Sequence, residues 1–197
     1  MNEIKTIDII NKYNLGTILK KLNIKVMYGE TFEAHVRSGI LYIKETIDED
    51  AVEIFKIVAP SVNRLHGTEL DENDIEEMCV FVILHEVGHI VDYRESKHEI
   101  AYLIHYNILS KRAERKAKRQ ARKAQMIQKI MNKLSDMYCE VLDDIWFRVD
   151  FYLEKALDKA VMKFYDIYRC IPHEEIADKF AIRNVYEVLQ GTGKIYC

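Results

Sequence analysis

The sequence predicts an α+β fold, mostly helical, in which a small sheet packs on a helix carrying an HExxH pentad and a long helical insertion precedes the last helix. Three observations predict it. Short runs rich in β-branched and aromatic residues, bounded by turn residues, cluster between residues 24 and 43. On either side of them apolar residues recur at intervals of three and four. From about Lys97 to Arg169 there is no proline or glycine, so nothing breaks a helical pattern. A chain of 197 residues, 49% apolar, can bury one sizeable core. We therefore expect a single domain over 1–197, elaborated by a helical insertion at about 97–169.

Taken in order, residues 2–22 space Ile4, Ile7, Ile10, Leu15, Ile18, Leu19 and Leu22 as an opening helix, with a break near Asn14-Leu15-Gly16. Ile24–Tyr28, Phe32–Arg37 and Ile40–Ile43 read as short strands, with Ser38-Gly39 turning a hairpin. Asp48–Val58 reads as a helix that Pro60 ends. Acidic residues 71–77 then open another helix, with Asn73 as cap and Glu76 closing a capping box. Met78–Leu84 is apolar nearly all round, the mark of a buried helix.

That helix continues into His85-Glu86-Val87-Gly88-His89. At i and i+4 both imidazoles leave one face, and Glu86, about 100° around from His85, can reach a water on a metal without ligating the metal. The pattern is short enough to arise by chance, and the plain alternative is a core helix whose histidines are hydrogen-bonded. Burying two histidines and a glutamate is costly, however, unless something binds them. Zinc on His85 and His89 is that compensation, and a catalytic zinc takes a third protein ligand. The HExxHxxGxxH continuation fails, because Asp92 stands where glycine would and Glu95 where the last histidine would. A better source lies far downstream. Residues 172–189 open on Pro172, stop before Gly191, and place Ala177, Ala181, Val185 and Val188 on one stripe. Glu174 and Asp178 lie on or beside that stripe, whereas Glu175 is turned away. In such a pair the Glu ligates, and the Asp one turn later accepts the outer N–H of a ligating histidine. The plain alternative is an amphipathic helix with acidic residues in its first turn.

These residues resemble the gluzincin metallopeptidases, and more narrowly the ImmA/IrrE-type group, in which HExGH is followed by a helix reading approximately ExEADxFA. Here Glu174-Glu175-Ile176-Ala177-Asp178-Lys179-Phe180-Ala181 matches, except that Ile176 replaces the second Glu. The likeness covers about half the chain. We expect no helix-turn-helix domain ahead of it, and the stretch from His89 to Glu174 is longer than the group's linker. A competing ligand set takes a third imidazole from His98 or His105, as in SprT-like proteases.

The resemblance implies a zincin-like fold and a zinc endopeptidase with His85, His89 and Glu174 on the metal, Asp178 behind a histidine, and Glu86 as general base. It favours limited cleavage of one regulatory protein. Strand 40–43 is the expected sheet edge for a substrate strand. Tyr93, His173 and Tyr186 are candidates to stabilise the oxyanion. Gly88 suggests close approach of another backbone. The alternative is a non-catalytic binding or regulatory protein on the same scaffold.

The net charge of −3 hides a segregation. Lys111, Arg112, Arg115, Lys116, Lys118, Arg119, Arg122 and Lys123 face Glu114 alone, a local +7 that leaves the remainder near −10. This basic arm, 111–123, could meet nucleic acid or an acidic partner, though no aromatic residue interrupts it to stack on bases. Ala113, Ala117, Ala121 and Ala124 form a narrow seam along it. Asp143–Leu153 supplies the largest apolar stripe, with Trp146 as anchor. There is no apolar run of 18 residues and no secretory leader, so we expect no membrane partner and a cytoplasmic location. Cys79, Cys139, Cys170 and Cys197 show no CxxC pairing and read as thiols.

Overall fold

The computed structural model of the chain describes residues 4–96, 99–137, 161–192 and 194–196. The stripe around Trp146, His98, Cys139 and Cys197 lie outside the described residues. The fold is α+β and mostly helical. The chain divides into two compact units, Met1–Tyr106 with Arg169–Cys197, and Asn107–Tyr168.

In the first unit, β1 (Ile4–Lys5) pairs antiparallel with β5 (Thr46–Ile47). The opening helix is two helices, α1 (Thr6–Lys12) and α2 (Leu15–Lys21), parted at Asn14, whose φ of 54° is left-handed. Asparagine tolerates that conformation better than most residues. The break lets Ile9, Ile10, Leu15, Ile18 and Leu19 all reach the core.

The second sheet has the order β2 (Lys25–Tyr28), β4 (Ile40–Ile43), β3 (Glu33–His35), with β2 parallel and β3 antiparallel to β4. The turn from β3 to β4 contains Gly39 at φ 63°. Strand 40–43 is thus the centre of the sheet and not its edge, which corrects the sequence reading. Its alternation, with Leu41 and Ile43 fully buried, belongs to a central strand. The edge that faces the pentad helix is β3.

Helix α3 (Glu49–His66) is capped by Asp48, which accepts from the Ala51 N–H at 2.9 Å. It runs through Pro60 instead of ending there. An internal proline costs about 3 kcal/mol. Phe55, Val58, Ala59 and Val62 are buried on both sides of it, and that burial outweighs the cost. The helix stops at Gly67, left-handed at φ 67°.

Helix α4 (Ile75–Glu95) carries the pentad. Its cap is Asp74, which accepts from the Glu77 N–H at 3.0 Å, and not Asn73. Glu76 closes no capping box, because with Asp74 as cap it stands at the second helical position; its carboxylate binds Lys12, 2.6 Å away, and the Tyr13 hydroxyl. From Met78 to Leu84 every residue but Val82 is buried, as an all-round apolar helix requires. Helix α5 (Glu99–Met137) and α6, described over residues 161–169, precede α7 (Pro172–Leu189). The main helix contact of the first unit is α4 against α7. Pro172 opens α7 at a position where its missing N–H costs nothing. No described helix is long and apolar enough to cross a membrane.

Candidate metal centre

Gly88 is what allows α4 and α7 to meet. A Cβ at this position would lie 2.8 Å from the Ala177 Cα and 3.1 Å from the Ala177 carbonyl oxygen, closer than packed atoms come. The two backbones touch at that level, the close approach that a glycine in the pentad suggests. His85 and His89 on one helix then face Glu174 and Asp178 on the other.

The donor atoms converge. His85 Nε2 and His89 Nε2 are 3.2 Å apart. Glu174 reaches both, with Oε2 at 3.3 Å from His85 Nε2 and Oε1 at 3.6 Å from His89 Nε2. Tetrahedral zinc with bonds of roughly 2.0–2.2 Å separates its ligand atoms by about 3.3–3.6 Å. The spacing of these three donors therefore fits one ion, and two imidazoles with a carboxylate are a donor set that suits zinc. Glu86 stands beside them, and one donor atom from each of His85, Glu86 and His89 lies within 4.8 Å of the others.

Asp178 Oδ1 lies 2.8 Å from His85 Nδ1. That contact fixes the ring and turns Nε2 inward. The same carboxylate is bonded by the Arg169 guanidinium, and His66 Nε2 sits 3.5 Å from its Oδ2. Glu174 and Asp178 are fully enclosed, with 2% and 0% of their surface exposed. Burial alone would raise both carboxyl pKa values. The His85 and His89 bonds to Glu174 hold it well below the usual range, and His85 and Arg169 do the same for Asp178. For His85, burial lowers the pKa, but bonds to Asp178 and Glu174 outweigh it and raise the value to about 9. Burial pushes the Glu86 carboxyl above the usual range, with the Glu174 charge adding to it against the two histidines. Glu174 and Asp178 are set against Arg169 and the protonated His85, so a divalent cation that displaces the His85 proton would keep these buried carboxylates compensated.

Several participants have no signal in a linear reading. The Ala34 N–H, on the outer side of β3, donates to Glu86 Oε2 at 2.8 Å. The Tyr106 hydroxyl donates to Glu174 Oε1 at 2.9 Å, and its ring lies edge-on to His89 at 6.1 Å. Arg169 and His66 reach Asp178 from positions that no motif marks. Of the other sequence candidates, His105 turns to His173, its Nδ1 3.3 Å from His173 Nε2, while His173 Nδ1 is 3.0 Å from Asp92 Oδ2. Tyr93 is buried against Tyr102, and Tyr186 is 44% exposed. Cys79 is buried, which pushes its thiol up to about 12, and Cys170 is exposed.

Compared with protein-family models, curated proteins and solved structures, the chain matches none. What the site does must be argued from its own geometry.

Proposed function

We propose that this chain is a zinc-dependent endopeptidase with a zincin-like arrangement, related to the gluzincins of ImmA/IrrE type. The observation that carries the reading is the three-donor cluster of His85, His89 and Glu174 with the Glu86 carboxyl beside it. The residues fit zinc in donor type and spacing. When bound, zinc would supply a Lewis acid that acidifies a water and polarises the scissile carbonyl.

The chain's own groups supply the remainder. Glu86 accepts the proton of the attacking water and delivers it to the leaving amine. The Ala34 N–H holds this carboxylate from the sheet edge. The same edge, β3, can pair with an extended substrate and lay its backbone along the cleft. Tyr106 would donate to the oxyanion by turning its single hydroxyl proton away from Glu174 Oε1, a role for which the sequence offered Tyr93, His173 and Tyr186. Asp178, braced by Arg169, keeps the His85 ring in position. Limited cleavage of a regulatory protein is the substrate class that goes with this reading.

The test is metal content and peptide cleavage on the full chain. The parent should hold one zinc and Glu174→Ala should lose it, whereas Glu86→Gln should keep zinc and lose turnover by at least about 100-fold. Turnover surviving in Glu86→Gln, or zinc held unchanged by Glu174→Ala, would overturn the assignment.

A further inference from the structure

The second unit holds a feature that the hydrolytic reading leaves unused. Along α5, Lys111, Arg112, Arg115, Lys116, Lys118, Arg119, Arg122 and Lys129 are all exposed. At 100° per residue, Lys111, Arg115, Lys118, Arg122 and Lys129 fall within about 60° of one another, and Arg112, Lys116 and Arg119 form a second row beside them. Glu114 is the single acidic residue from 111 to 123, and it is bonded to Lys118. We propose that this face of α5 binds the phosphate backbone of duplex nucleic acid without reading its sequence.

Charge density favours that partner. Eight cations over residues 111–123 occupy about 18 Å of helix, one per roughly 2 Å. Duplex DNA presents one negative charge per about 1.7 Å of axis, close to the spacing of these cations. A membrane surface would demand large apolar residues on the opposite side. Positions opposite the basic rows are instead Ala113, Ala117, Gln120, Ala121 and Ala124. No aromatic residue lies between 107 and 137, so single-strand stacking has no platform there, and contact falls to phosphates. With the rest of the chain near −10, the overall charge of −3 gives no general affinity for a polyanion, so binding would map to this helix.

The experiment is fluorescence anisotropy of the full-length protein with two 20-base-pair duplexes of unrelated sequence. Four phosphate contacts would give a logarithmic salt slope near −3.6, hence about a 150-fold loss of affinity from 50 to 200 mM salt. Both duplexes should bind within about threefold of each other, as phosphate contacts carry no sequence information. The variant Lys111→Gln, Arg115→Gln, Lys118→Gln, Arg122→Gln should lose binding about 100-fold or more at 50 mM with unchanged helix content, because glutamine keeps helix propensity. The charge-preserving variant Lys111→Arg, Arg115→Lys, Lys118→Arg, Arg122→Lys should bind like the parent. No binding to either duplex at 50 mM salt, a slope near zero, a strong preference for one duplex, or tighter binding to polyglutamate or to vesicles with 30% anionic lipid would each overturn the proposal. The outcome is independent of zinc content and of Glu86, so it stands or falls apart from the peptidase reading.

Discussion

His85 is held by carboxylates on both ring nitrogens, Asp178 at Nδ1 and Glu174 at Nε2. Without a cation between the donors its pKa rises to about 9, so at neutral pH the metal-free ring carries both protons. A ligating imidazole cannot keep a proton on the nitrogen that faces the metal. Titrating the metal-free protein with zinc at pH 7 should therefore release about one proton from His85 per ion bound. Calorimetry in buffers of different ionisation enthalpy measures that number. Zinc bound with no proton released would mean that His85 is not a ligand. Tyr106 adds a constraint from the opposite side, since its hydroxyl fixes the Glu174 oxygen that is nearest His89.

Two elements, α4 and α7, set the site, and a missing side chain sets their distance. Alanine at position 88 would gain about 1 kcal/mol in helix propensity. Its Cβ would meet the Ala177 backbone at 2.8 Å, however, and backbone in a packed pair of helices gives way only at a cost of about 1–3 kcal/mol. Gly88→Ala should lower the melting temperature and weaken zinc retention. Gly16→Ala is the control: in α2 a Cβ would meet only Ile10 Cγ2, at 3.9 Å, and the propensity gain should appear as a small rise in melting temperature. If both variants melt alike, close approach is not what position 88 requires. The same competition explains α3, where the burial of Phe55, Val58, Ala59 and Val62 carries a helix across Pro60.

At the scale of the whole molecule, the proposed metal site joins chain segments more than 80 residues apart, so its occupancy should report on global stability. Zinc at 100 times its dissociation constant would add about 2.7 kcal/mol. Chelation should lower the melting temperature by about 5–10 °C for a chain of this size. Identical melting with and without chelator would count against a zinc that bridges α4 and α7. Much of the molecule could be read from the linear chain: the α+β class, three short strands near residues 24–43, the buried helix before His85, and the pairing of Glu174 with Asp178 on one face. Those features are written in local periodicity, which needs no knowledge of partners. Other features were misread or invisible because they depend on what arrives from elsewhere. Asp74 and not Asn73 caps α4, which shifts Glu76 off the capping-box position and leaves its carboxylate to Lys12 and Tyr13. Strand 40–43 is central because β2 and β3 both pair with it, and strand order leaves no trace in a single run of residues. Ala34, Tyr106, Arg169 and His66 enter the site through one backbone N–H or one side-chain tip each, from sequence positions that carry no motif. The sequence by itself determined which side chains could share a helix face. Only the tertiary structure decided which faces meet, because helix contact is settled by volume and backbone approach between distant segments and not by spacing within one.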